Sequence, residues 1–428
     1  MNKLVSILTA TAAGLVVVGA ANAADLPSKK AAPAQYVKIC DAFGAGFFYI
    51  PGSTDTCLKV GGRVRAEYRL HGNASAASDL TVFRARFYMN LDARTKTSYG
   101  DLRTFIQYRV TTDTKQSPDA AFVTDAWINF AGITAGRKQS FFDFYAHDND
   151  MFAVSYGSDA TTNLLAYTAS FGSGFSATLS LEDPIWRATN GTPGNATGVY
   201  GTPANIGYTG NGVRSPDVVG NLKVDQAWGS AMLSGAMHQV NAVLANTTNT
   251  TKVGYAVQGG VKVLLPMLAK GDFVLAQATY ASGATEYVNS NNTGAVWRKF
   301  AGVQSNVGLG YQTAVPTTVA APGDSLGLVK TWAVTGAFMH YWTPQLRNFF
   351  YASYANEKMP SALQSGQKFW GGREMILGTN LVWSPVAGLD IGPEVIYENV
   401  KLNNGNFALA NAPKASDWRA TFRFQRTF

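Results

Sequence analysis

Beyond its first residues this chain lacks any apolar run long enough to cross a membrane as a helix. The best candidate, 261–269, is cut by Lys262 and Pro266 and falls far short of about 20 residues. Histidine is scarce as well, with His71, His147, His238 and His340 as the complete set of 4. None lies in a G-x-S-x-G context, and H-E-x-x-H and P-loop patterns are absent, so no enzyme is expected. The 2 cysteines, Cys40 and Cys57, form no C-x-x-C pair and have no His cluster nearby, which leaves a metal site unsupported. No cofactor and no nucleic acid is expected. Segment 24–56 is too short to plug a wide lumen, which argues against a gated, energised transporter. Charged residues amount to only 14%.

What the chain does have is aromatic residues and glycine: 43 Gly, 24 Phe, 19 Tyr and 9 Trp among 428 residues. With so little charge, this composition suits a large all-β protein. Lys3 opens a short basic region, an apolar stretch follows over 4–20, and Ala21-Asn22-Ala23 supplies an A-x-A site. The reading is a secretory signal peptide over 1–23, removed after Ala23; a retained anchor is the alternative. In an exported chain the two cysteines read as one disulfide, with two free thiols or a metal site as the alternatives.

Period-two alternation runs through the rest. A strand sends successive side chains to opposite faces. Over 60–70, Arg63, Arg65, Glu67 and Arg69 share one parity, and Val64, Ala66, Tyr68 and Leu70 the other. Over 83–94, Arg84 and Arg86 oppose Phe83 and Phe87; over 101–110, Arg103 and Arg109 oppose Ile106 and Val110. The last stretch, 418–428, sets Trp418, Phe422, Phe424 and Phe428 against Arg419 and Arg423. Segments of ten or more residues are long for soluble strands and match the 9–11 residues of a tilted membrane strand. Gly- and Pro-rich turns alternate with long Asn/Thr/Gly-rich connections at 184–215, 286–328 and 359–370. About sixteen strands fit this punctuation, including 133–142 and 418–428. The fold class expected is all-β: a 16-stranded antiparallel transmembrane β-barrel over 57–428, preceded by an N-terminal extension over 24–56 that is periplasmic or lines the lumen. The first and last strands must pair, because an open edge in lipid is costly. Trp127, Phe130, Tyr341, Trp342, Trp383 and Trp418 lie near turns, as an interfacial girdle would.

Segments 24–30 (ADLPSKK), 36–40 (YVKIC), 44–52 (GAGFFYIPG), 56–62 (TCLKVGG) and 419–428 (RATFRFQRTF) resemble the two ends of alphaproteobacterial general porins. The resemblance covers the whole chain in length and layout. It implies a homotrimeric porin of the outer membrane for passive diffusion of small hydrophilic solutes and ions. It also implies that Phe428 is read by the barrel-insertion machinery, and that the loop after the fifth strand folds inward as an inward-folded constriction loop.

The segment corresponding to that loop, 142–162, carries Asp143, Asp148, Asp150 and Asp159 and no Lys or Arg. Arg63, Arg65, Arg84, Arg86, Arg103, Arg419 and Arg423 form the basic wall expected opposite it. Guanidinium groups stay charged when crowded, so the pair of walls would hold a transverse field that favours polar solutes. The alternative reading leaves the loop solvated at the surface and the arginines on lipopolysaccharide phosphates. An adhesion or surface-recognition barrel is the alternative function, and the sign of ion selectivity is left open.

Overall fold

The computed structural model describes residues 37–72, 80–114, 120–153, 155–187, 209–210, 213–243, 249–288, 314–316, 326–358, 372–402 and 414–428. The expected signal peptide, 1–23, lies outside them, as does most of the long connections. Ile39–Phe428 is one compact unit; of the other unit, Met1–Lys38, only Val37 and Lys38 are described.

Sixteen long strands make one closed antiparallel barrel: β1 (Thr56–His71), β2 (Thr81–Thr97), β3 (Gly100–Asp113), β4 (Ala120–Phe130), β5 (Ile133–Gln139), β6 (Thr161–Gly172), β7 (Phe175–Glu182), β8 (Asp217–Gln226), β9 (Gly229–Val243), β10 (Asn249–Leu264), β11 (Phe273–Ser282), β12 (Lys330–Thr343), β13 (Leu346–Lys358), β14 (Gly372–Trp383), β15 (Leu389–Leu402) and β16 (Lys414–Thr427). Each pairs with its sequence neighbour. Closure comes from β1 and β16, in register from Arg63↔Thr427 to His71↔Arg419. Phe428 extends the seam: its N–H donates to Gly62 O at 3.0 Å, and Gly62 N–H donates to Phe428 O at 2.9 Å. No backbone edge is left for lipid along this seam.

Where β16 stops, the two-residue strand Phe48–Tyr49 pairs with Cys57 and Leu58 and covers the remaining edge of β1. A disulfide between Cys40 and Cys57 ties this hairpin down. Phe43 and Phe47 pack against the bridge, and Arg94 and Lys96 of β2 lie over their rings.

The alternation read from the sequence is the alternation of the wall. On β1, Val64 and Tyr68 are exposed outward while Glu67 is buried. On β16, Trp418, Phe422 and Phe424 face out while Arg419, Thr421 and Arg423 are buried. The outward residues form an apolar belt, with Leu222 of β8 directly beside Leu233 of β9, each 60% exposed. Such a surface suits lipid rather than water.

Two expectations need correcting. The strand expected over 133–142 ends at Gln139, because Ser140 leaves the wall and the chain turns into the lumen. Trp127 is no girdle residue: it shares parity with Asp125 and Asn129, is buried, and stacks on Phe105 at 5.4 Å inside the barrel. Tyr341 likewise packs against the buried inner cluster, whereas Trp342, Trp383 and Trp418 are exposed outward as expected.

Candidate functional site

Segment 140–160, described except for residue 154, lies inside the barrel. Its path is written by what accepts and donates along the wall. Asn221 of β8 donates to Phe141 O at 2.6 Å. Ser234 of β9 and Gln258 of β10 donate to Phe142 O at 2.9 and 3.0 Å. Thr335 of β12 and Gln277 of β11 hold Tyr156 O, and Ser353 of β13 accepts from Tyr156 N–H at 3.0 Å. Further on, Glu394 of β15 accepts the N–H groups of Met151 and Phe152 at 2.8 Å. Arg423 of β16 donates to Met151 O at 2.6 Å. The loop is thus fastened from β8 round to β16.

Apolar packing works with these bonds. Phe142, Tyr145, Phe152 and Tyr156 form one buried cluster with Leu275, Met339, Phe349, Ile376 and Ile396. The lumen face of β11–β15 thus mixes these apolar side chains with the polar anchors above, and the loop covers it. Gly260 of β10 shows how close the approach is: a Cβ there would overlap the Phe144 ring. Behind the loop's first turn, Arg187 donates to Ser158 Oγ at 2.9 Å, pairs with Asp143 at 3.4 Å and stacks 3.7 Å over Tyr287. The Asp143 side chain is buried, and this pushes its carboxyl above the usual range against the pull of Arg187.

The four acidic residues of the loop have separate surroundings. Asp143 also accepts from Gln139 and from Ala160 N–H. Asp150 is buried and accepts from Ser155 Oγ at 2.9 Å, with His147 Nδ1 at 3.1 Å. Asp159 accepts from Gln139 at 3.0 Å. Only Asp148 is exposed. It and Asn149 share a cavity of about 100 Å³ with Arg63 and Arg65. The same two loop residues line a larger cavity of about 430 Å³ that holds Lys138, Lys223 and Lys262.

The opposite wall, β1 to β3, carries the arginines with their guanidinium parity inward. Arg84 pairs with Asp113 at 2.5 Å, Arg103 with Asp92 at 2.9 Å, and Arg69 with Glu67 at 2.6 Å. Arg86 donates to Thr111 Oγ1 at 2.9 Å, and Arg65 to Gln425 Oε1 at 2.8 Å. Arg419 and Arg423 depart from the expected open wall. Both are buried, Arg419 against Glu398 and Arg423 against Glu67, so they brace the closing seam and the loop tip.

The residues that fasten the loop, among them Glu394, Gln277, Arg187 and Glu374, which accepts from the Tyr156 hydroxyl at 2.6 Å, did not stand out in the sequence. One signal was available. On β11, Phe273–Ser282 has no charged residue on either parity, which marks a wall buried on its inner face too. Arg187 had no signal, because its partners are remote in sequence. The long connections considered as recognition surfaces lie largely outside the described residues.

Known proteins share this architecture. The sequence profile of the porin subfamily matches residues 25–420. The porin Omp2b of Brucella suis is 27% identical over 447 residues, covering 99% of each chain. That of Brucella abortus strain 2308 is 27% identical over 440 residues, again covering 99% of each. Among solved structures, the outer membrane channel DcaP of Acinetobacter baumannii superposes with a TM-score of 0.64 at 16% identity, over 88% of this chain and 99% of that one. Salmonella typhi OmpF, in complex with daunomycin, gives 0.51 at 12% identity over 87% and 98%. At these identities the two structures speak to fold alone.

Proposed function

The chain belongs to the porin subfamily, and from that premise we propose how its interior sorts what passes. It forms an outer-membrane channel for passive diffusion of small hydrophilic solutes and ions. The eyelet lies between Asp148 on the inner loop and the arginines of β1 and β2, namely Arg63, Arg65, Arg84 and Arg86. Arg103 extends the charged wall along β3. The observation that carries this is the cavity that Asp148 shares with Arg63 and Arg65, while the rest of the loop is fastened to the other wall. A fixed field across a narrow aqueous gap orients water and polar solutes, and an apolar solute has to displace held water without replacing its hydrogen bonds. Asp143, Asp150 and Asp159 serve the eyelet indirectly, by keeping the loop in shape.

The finer assignments follow the same reading. Residues 1–23 are removed on export, 24–56 form an N-terminal extension, and three copies assemble in the outer membrane beside lipopolysaccharide. Phe428, which completes the seam against Gly62, is the residue that the insertion machinery recognises. Reconstitution in a planar bilayer tests the channel. Stepwise currents are expected, and Asp148→Asn or Arg84→Ala with Arg86→Ala should change both conductance and ion preference. A folded, detergent-resistant barrel that gives no stepwise current would sink the reading. If the substituted channels behaved as the parent does, only the eyelet would be misplaced.

A further inference from the structure

The charge that a permeating ion meets depends on which side chains are spent on one another. In the inner loop, Asp143 is engaged by Arg187, Asp150 by His147 and Ser155, and Asp159 by Gln139. Asp148 alone is exposed. On the facing wall, Glu67 is taken by Arg69 and Arg423, Asp92 by Arg94 and Arg103, and Asp113 by Arg84. Arg63, Arg86 and Arg109 have no carboxylate at salt-bridge distance among the described residues, and Arg65 reaches only the already shared Glu67, at 3.8 Å.

Three of these arginines gather round one side chain, the buried Tyr88, and Arg65 lies directly opposite Arg86 in the β1–β2 register. Arg63 lies 4.0 Å over its ring, and Arg86 Nη1 donates to its hydroxyl at 3.4 Å. Arg109 also bonds to Tyr88 and stacks 4.0 Å over Phe122. The Nε groups of Arg63 and Arg109 are buried with no acceptor among the described residues. Guanidinium groups without a carboxylate partner present the planar donors that carboxylate and phosphate oxygens accept from. The larger cavity that Asp148 also lines holds Lys138, Lys223 and Lys262 beside Asp143, with Lys138 and Lys262 over the rings of Trp127 and Phe273.

We propose that the channel favours anions, and that Arg63, Arg86 and Arg109, gathered around Tyr88, form with the adjacent Arg65 a transient binding site for small oxyanions. This rests on the channel reading above. The site is weak by design: conduction needs binding favourable enough for entry and loose enough for exit. Arginine rather than lysine gives the site its fork and keeps its charge at every relevant pH.

The experiment is a reversal-potential measurement on the full-length barrel under a potassium chloride gradient, followed by addition of inorganic phosphate. The parent should reverse on the chloride side, and phosphate should reduce chloride current saturably. Arg63→Gln with Arg86→Gln should lower the chloride-to-potassium ratio several-fold and abolish the phosphate effect. Arg63→Lys with Arg86→Lys should keep the anion preference but weaken the phosphate effect, because an ammonium lacks the fork. A parent channel that prefers potassium overturns the proposal and leaves the porin reading intact. So does a glutamine variant that inserts, conducts and keeps the parent's ratio. Phosphate without effect on the parent overturns the binding site. No current at all from folded protein overturns the channel reading and this proposal with it.

Discussion

Arg187 is buried with its guanidinium over Tyr287 and in reach of Asp143, so one side chain holds the loop's root against two other loops. Burial pushes Asp143 and Glu286 above the usual carboxylate range, while Arg187 pulls both back. A carboxyl group raised in the folded state favours folding when protonated. Its contribution therefore grows as pH falls toward the ordinary carboxylate range and is lost as pH rises through the raised value. The docked loop is expected to resist protease better in mildly acidic than in alkaline solution. Arg187→Met leaves Asp143 buried without its cation, at a cost of about 3–5 kcal/mol. Limited proteolysis across pH should show earlier cleavage within 140–160 and a steeper pH dependence in that variant. An unchanged digestion profile would remove Arg187 from the latch.

At the scale of elements, the inner loop and the strands beneath it explain each other. The strands of the arginine wall show one apolar parity and one charged parity, and this was readable directly. On β11 to β15 the inner parity carries buried apolar residues such as Leu275, Met339 and Phe349 among its polar anchors because a loop from elsewhere in the chain lies on it, and parity alone does not say what covers a face. Glu394 is the clearest case. A glutamate on the inner parity of β15 reads as one more pore charge, yet its oxygens take the N–H groups of Met151 and Phe152 and an Asn380 amide hydrogen. Glu394→Ala leaves those backbone donors buried and unmet, at about 1–3 kcal/mol for each. The loop tip should then lift. Single-channel recordings should show higher conductance and more open-channel noise, and Glu394→Gln, which retains an acceptor, should fall between. Equal conductance in all three would mean that the loop is held without this contact. The same logic separates Asp148 from its neighbours. Four aspartates in a short segment looked equivalent in the sequence, and only docking shows that three are turned toward the protein.

For the whole molecule, the outer belt and the closing seam carry the fold. Leu233, opposite Leu222 and outward on β9, should tolerate Met; Leu233→Arg should cost about 2–4 kcal/mol if it lies near mid-bilayer depth. A lower temperature for heat-modified migration on a gel would report that loss, and an identical temperature would place the site outside the lipid belt. The sequence by itself determined the barrel. Strand length, alternation and the spacing of turns are local properties, each written in consecutive residues, and a closed sheet is the form in which lipid leaves no edge unpaired. It also determined which strands are charged on one face. The tertiary structure decided which of those charges remain free. Whether Arg423 meets Glu67, Arg187 meets Asp143 or Arg63 meets no carboxylate among the described residues depends on contacts between residues far apart in the chain. Pairing of that kind has no period, so only the folded barrel, with its loop drawn inward, reveals the charge left facing the water.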